Sequence, residues 1–331
     1  MIELKQDALV ITFADVHPDA ELRIDFQRTL RIPDDGRDYP LPPGLGRFPL
    51  RHVDDFARSV PPLWKEHGGV MFPMHSAEAM WLNFRSDGVP GHDVAYPFAL
   101  KVATGKRSAV TGEAWRAGLH RQPKQDYLVI PSQPWLDGYC VGEGVIRQFV
   151  AMAQGQGYTV EEQLTGKAEV GGLQLEIVPM KREVFERRFP PVQEEEFMAM
   201  SCCMPGAMPA APRASSAQAL DMGLAPGGRM KQTIHQDPFD LDDWDLESTS
   251  RCFVHLCDAE LWQVVTGQPA PTTPPTAKDY SQAGLPWFEH TSAGKALSGS
   301  KLLAGLKSVL GMGEELGEDP LPENESTLTP V

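Results

Sequence analysis

The 331-residue chain has no run of eighteen apolar residues, so a conventional membrane-spanning helix is not expected. Residues 1–6 have neither the basic region nor the cleavage site of a secretory signal, and they lead straight into a patterned apolar segment. Cysteines are few: Cys140, Cys202, Cys203, Cys252 and Cys257. Their odd number, one adjacent pair and the lack of an export signal speak against a disulfide framework and predict reduced thiols in a cytoplasmic protein. Basic residues are also short, with 30 Lys and Arg against 45 Asp and Glu, a formal charge of −15. Such a chain has no general attraction for phosphate backbones or anionic lipid, so neither a nucleic-acid nor a membrane partner is expected.

Signatures of chemistry are equally scarce. GxxxxGK[ST], GxSxG and HExxH do not occur. PPGLGRF contains GxG, but its prolines preclude the helix start that a dinucleotide fingerprint needs. Gly227-Gly228-Arg229 has the makings of an anion nest, but so short a string is common by chance. In RCFVHLC (251–257), period two puts His255 and Cys257 on one face of a strand and Cys252 on the other, which spoils a three-ligand metal site. The acidic run DPFDLDDWDLE (237–247) fits no EF-hand register and reads as a solvated loop. No metal and no cofactor are expected.

What the chain does have is proline and glycine, 30 of each, well above the roughly 12% the two make up in an average protein. They separate short patterned segments. ALVITFADV (8–16) is followed by Leu22, Ile24 and Phe26 alternating with Arg23, Asp25 and Gln27, which predicts a strand with one wet face. The segment 33–50 holds too many prolines for regular structure, yet its Leu41, Leu45, Phe48 and Leu50 are too apolar for solvent. It reads as an ordered loop across the sheet, with a helical turn near 52–59. Further strands are expected at 70–74, 79–84, 98–102, 108–110, 127–130, 145–152, 173–177, 229–235 and 251–257. Short helices are expected at 160–164 and 183–189. Asp258 and Gly267 bracket a further helix as N-cap and C′ residue. Residues 297–312 carry leucines at helical spacing.

The fold expected is therefore mainly β with α additions: an irregular β-sandwich or barrel-like core over 1–193. A Met/Ala/Pro/Ser-rich linker follows over 194–228, with a short helix at 216–222. Then come a smaller C-terminal α+β part packing back on the core (229–313) and an acidic disordered tail (314–331).

Recognition is expected on PSQPWLDGYC (131–140), which follows a strand and sets Trp135, Asp137, Tyr139 and Cys140 among turn formers. An aromatic on an ordered loop over a rigid sheet is a common contact element, although a loop tryptophan can equally fold back to cap the core. Trp64, Trp81, Trp115 and Trp287 widen the aromatic set, and Trp115 and Trp287 also sit in turn-like contexts. Three functions follow. The first is a binding or interaction protein without catalysis, its protein partner or small ligand unspecified. The second is a hydrolase-like enzyme using Cys140 or Asp137 with a histidine. The third is a carbohydrate-binding module using Trp115 and Trp135, since apolar sugar faces stack on aromatic rings.

Four phrases, RTLRIPDDGRDYPLPPGLGRFPL (28–50), PSQPWLDGYCVGEGVIRQFVAM (131–152), GYTVEEQLTG (157–166) and GLPWFEH with LAGLKSVLGMG (284–313), resemble a family of hypothetical proteins from bacteria and fungi. The resemblance implies a folded protein over most of the chain and transfers no activity, cofactor or site residue.

Overall fold

The computed structural model describes residues 1–191, 221–284, 287 and 294–318. The elements run β1 (Ile2–Lys5), β2 (Ala8–Thr12), β3 (Glu21–Thr29), β4 (Asp38–Tyr39), β5 (Arg51–His52), α1 (Pro62–His67), β6 (Val70–Pro73), β7 (Ala79–Ser86), β8 (Phe98–Thr104), β9 (Arg107–Ser108), β10 (Leu128–Ile130), β11 (Trp135–Leu136), β12 (Gly138–Gly142) and β13 (Val145–Ala153). They continue through α2 (Val160–Thr165), β14 (Leu173–Pro179), α3 (Arg182–Arg188), β15 (Asp221–Lys231), β16 (Ser250–Cys257), α4 (Ala259–Thr266), α5 (Ala277–Ala283), α6 (Lys301–Ala304) and α7 (Val309–Leu316). The protein is mainly β with short helices. Its described strands join one sheet with the order β1-β2-β3-β7-β13-β15-β16-β14-β8-β10. Pairing is antiparallel except where β4 meets β15 and β6 meets β16.

Alternation sets the two faces of the sheet. On β3, Leu22, Ile24 and Phe26 enter the main core, and on β7 Met80, Leu82 and Phe84 do the same. Asp25 and Gln27 point the other way, and their register partners Asn83 and Trp81 share that outer face. β2 flanks β3 only as far as Ile24. Beyond it the proline-rich loop takes over the edge, with Leu45 N–H donating to Arg28 O, Arg28 N–H to Gly46 O and Phe48 N–H to Phe26 O, each at 2.8 Å. Leu41, Phe48 and Leu50 are buried, so this loop is ordered and lies over the sheet.

Several expected segments differ. Residues 192–220 lie outside the described part, and with them most of the 194–228 linker and of its 216–222 helix. Residues 221–228, expected in that linker, instead form most of β15, between β13 and β16. Gly223, Pro226, Gly227 and Gly228 argue against a strand by propensity, but the neighbours explain them. A Cβ at Gly223 would lie 2.7 Å from Thr159 Cγ2, one at Gly227 2.5 Å from Val150 Cγ2, and one at Gly228 2.3 Å from Pro33 O. Pro226 sits where the register with β13 shifts, at an irregularity where a proline is tolerated. β15 and β16 therefore supply central strands of the same sheet, and the C-terminal part does not merely pack on it from outside.

The helix expected over 297–312 is two short ones. Ser300 caps α6 through Leu303 N–H, Gly305 ends it, and Ser308 caps α7 through Gly311 N–H. Two serine N-caps and a glycine stop override the leucine periodicity. Residues 314–316, expected in a disordered tail, form the end of α7, closed by Gly317 at φ 70°; residues 319–331 lie outside the described part. The acidic run is not a free loop either. Asp237 is buried and accepts from Tyr127 Oη at 2.6 Å, Trp244 Nε1 at 2.9 Å and Arg121 Nη2 at 2.5 Å, while Asp243 accepts from Arg188 Nη2 at 2.7 Å.

Candidate functional site

The outer face of β3 and β7 becomes a pocket where the proline loop crosses it. Its walls are Leu41, Pro42, Pro43 and Gly44 from the loop, Trp81 and Asn83 from β7, and Trp135 and Asp137 from the 131–140 segment, around a volume of about 270 Å³. Period two on β7 places Trp81 and Asn83 side by side on one face. Trp135 is the register partner of Asn83, so the indoles of Trp81 and Trp135 belong to diagonal neighbours, about 7–8 Å apart at the backbone.

The loop is pinned closely enough to shape this pocket. Thr29 Oγ1 donates to Pro43 O at 3.0 Å. Gly44 lies against the floor: a Cβ there would meet Gln27 Oε1 at 2.7 Å and Trp81 Cζ2 at 3.0 Å. On the other wall, Phe84 N–H donates to Pro134 O at 2.8 Å. Three buried glutamines satisfy irregular backbone: Gln148 bonds Ile32 N–H and Leu30 O, Gln133 donates to Trp135 O, and Gln232 bonds both Trp135 and Asp137. Residues 131–140 are thus an anchored segment. Gly138 lets the chain approach β13, since a Cβ there would sit 1.9 Å from Arg147 O.

Each polar group on the wall has a defined state. Asn83 Nδ2 donates to Asp25 Oδ2 at 3.1 Å. Because a carboxylate only accepts, this fixes the amide orientation and leaves Asn83 Oδ1 as an acceptor with no partner among the described residues. Asp25 also accepts from Gln27 and lies 3.3 Å from Arg47 Nε. Trp81 Nε1 is buried, with no hydrogen-bond partner among the described residues. Asp137 is 2% exposed, and its carboxyl meets one donor, Gln232 Nε2 at 2.9 Å. Burial pushes its pKa up to about 8, against the opposing effect of that hydrogen bond. None of the described lining residues is cationic.

Of the residues singled out in the sequence, Trp81, Trp135 and Asp137 meet at this site and the others do not. Trp115 lies elsewhere, its ring 5.0 Å from the ammonium of Lys101. Tyr139 is fully buried, its hydroxyl bonded to Thr104 Oγ1 at 2.8 Å and to Leu224 O at 3.1 Å. Cys140 is buried in the main core with its thiol pushed up to about 11 by desolvation, so it is a thiol and not a nucleophilic thiolate at neutral pH. No hydrogen bond joins Cys140 or Asp137 to a histidine among the described residues. Trp64, on α1, is fully buried and stacks on His255 at 4.7 Å, and Trp287 is half-buried. Asn83 and the lining from 41–44 were not singled out. The shared parity of Trp81 and Asn83, beside a loop too apolar for solvent, is the signal that points to them.

Other concavities lack this convergence. A cleft of about 650 Å³ between α3 and the 241–248 segment is lined by charges of both signs, among them Asp15, Lys181, Arg182 and Glu247. Smaller clefts of about 220 and 290 Å³ meet at Pro123 and Lys124. No group of three or more His, Cys, Asp or Glu residues placed to hold a metal occurs among the described residues. No helix among them is long and apolar enough to cross a membrane. No family model, curated protein or solved structure matches this chain.

Proposed function

We propose that this protein is a binding protein for a small ligand, held in the Trp81–Trp135 pocket. The observation that carries the reading is the convergence of two tryptophans, two prolines and the Asn83 carboxamide on one pinned concavity. Pockets that bind small molecules are mostly apolar, with a few fixed polar groups that set orientation, and this lining has that composition. Cytoplasmic residence fits the three described cysteines, all free and buried. Catalysis at Cys140 has no support in its surroundings, since a raised thiol pKa works against nucleophilic attack.

The test is native mass spectrometry of the full chain purified from its host without denaturation, beside Trp135→Ala and Gly44→Ala. A small molecule retained by the wild type and lost from both variants supports the reading. Equal retention by all three, or none by the wild type together with a failure of any compound in a fragment library to perturb Trp81 or Trp135, removes it.

A further inference from the structure

We propose a second ligand site, independent of the Trp81–Trp135 pocket: the cleft beside Pro123 holds a small molecule that carries a doubly charged oxyanion group on an apolar ring. The sign of the charge on its wall carries the inference.

This cleft encloses about 220 Å³ between the 111–126 segment and the start of α6, and three cations line it, Arg116, Lys124 and Lys301. Two carboxyl-bearing residues, Glu113 and Asp126, share the wall. Asp126 is already engaged, by Lys101 Nζ and by the His120 N–H, each at 2.9 Å. Three cations therefore stand against Glu113 alone, an excess of two positive charges in a chain whose formal charge is −15. None of the three has a carboxylate within ion-pair distance among the described residues. Arg116 and Lys301 are exposed and Lys124 is half-buried, so their donors are within reach of a ligand.

The walls are fixed to one another. Lys124 Nζ donates to Gly299 O at 2.6 Å and to Ser298 O at 3.4 Å, Ser300 Oγ to Thr111 O at 2.5 Å, and Lys101 Nζ to Arg116 O at 2.5 Å. These bonds leave the ammonium of Lys301 unused. The guanidinium of Arg116 makes one long contact, Nη2 to Gln122 O at 3.5 Å. Its planar fork is open to a bidentate oxyanion.

The charge balance separates the ligand classes. A cation would meet like charge on three sides. A neutral apolar molecule would lie on Pro123 and on Leu302, which is 43% exposed, but it would strip water from charged groups and return no partner. A long polyanion would be repelled by the acidic remainder of the chain. A small dianion cancels the local excess, and a ring attached to it covers Pro123 and Leu302. The volume lies below the roughly 300–1,000 Å³ of typical small-ligand clefts, which leaves room for one ring and one charged group. An aromatic phosphate monoester and an aromatic dicarboxylate share this chemistry.

The experiment is calorimetric titration of the full chain at low salt with phenyl phosphate, phthalate, benzoate, inorganic phosphate, benzyl alcohol and benzylamine. At least one of the two aromatic dianions should bind with a dissociation constant on the order of 1 mM or tighter, and about tenfold more tightly than benzoate. Inorganic phosphate should bind more weakly than that dianion, benzyl alcohol and benzylamine should give no binding heat, and added sodium chloride should weaken the dianion. Lys301→Gln and Arg116→Gln should each weaken it about threefold, whereas Glu113→Gln should tighten it, an opposite sign that a merely structural role would not produce. Thermal melts would confirm that the three variants fold. Binding of phenyl phosphate without phthalate supports the site with phosphate as the source, and the converse supports it with carboxylate. Failure of both dianions to bind overturns the proposal, as does benzyl alcohol or benzylamine binding as tightly as they do. Dianion affinity unmoved by Lys301→Gln and Arg116→Gln also overturns it. Inorganic phosphate that matches phenyl phosphate refutes the apolar ring and leaves an adventitious ion only.

Discussion

The carboxamide of Gln232 grips Asp137 twice: its oxygen accepts the Asp137 backbone N–H at 3.1 Å, and its nitrogen donates to the Asp137 carboxyl at 2.9 Å. The same nitrogen reaches Trp135 O at 3.2 Å. One fully buried side chain from the end of β15 therefore sets the geometry of both 131–140 residues that face the pocket. Gln232→Leu keeps the bulk and removes these bonds. It should lower stability by about 2–4 kcal/mol, given about 1–3 kcal/mol for each buried group left unmade. Chemical denaturation would measure the loss, and hydrogen exchange at the Asp137 amide should show that protection falls there first.

Asp137 itself should make stability depend on pH. Its folded pKa of about 8 lies above the ordinary carboxyl value. Below about pH 4 the group is protonated in both states and contributes nothing. As pH rises from about 4 to about 8 the unfolded chain ionises while the folded one resists, so stability falls, by at most about 1.4 kcal/mol per unit. Asp137→Asn should remove this slope and be the more stable protein at pH 7. Urea melts of both proteins at several pH values would check it; parallel curves would show that Asp137 is already ionised in the native state.

Trp64 and Asp221 form a second, partly buried pair, with Trp64 Nε1 donating to Asp221 Oδ2 at 3.1 Å. Burial pushes the Asp221 carboxyl up to about 7. The Trp64 indole resonance should therefore titrate with a midpoint near pH 7, and Asp221→Asn should abolish that titration. Stability from this pair also falls with rising pH, between about 4 and 7, by the same sign argument.

Lys101 is 2% exposed, and its ammonium donates to Arg116 O at 2.5 Å and Gly118 O at 2.6 Å and pairs with Asp126 at 2.9 Å. Lys101→Met strands the buried Asp126 carboxylate and should cost about 3–5 kcal/mol. Adding Asp126→Asn should return part of that loss, and the double-mutant cycle would measure the coupling. Trp115, stacked over this ammonium, should report the change through its fluorescence.

Much of the local structure was legible. The alternation of Leu22, Ile24 and Phe26 with Arg23, Asp25 and Gln27 gave β3 and its two faces, and Asp258 and Gly267 cap α4 as their side-chain chemistry requires. The 131–140 segment was visible as an ordered aromatic loop. Tyr139 and Cys140 could not be separated from Trp135 and Asp137 by spacing alone, because β12 carries them into the core where it joins β13. β15 was hidden because Gly223, Pro226 and Gly227 satisfy neighbours distant in sequence, and propensity cannot register such neighbours.

Composition and periodicity by themselves settled the strand-rich class, the ordered proline loop and the acidic balance, since these depend on interactions within a few residues. Which polar side chains would share one concavity was decided only by tertiary structure. Loop 41–44, strand β7 and segment 131–140 are far apart in the chain. Strand pairing and the hydrogen bonds of Gln148 and Gln232 bring them together, and desolvation at that junction, which no local pattern encodes, raises the Asp137 pKa.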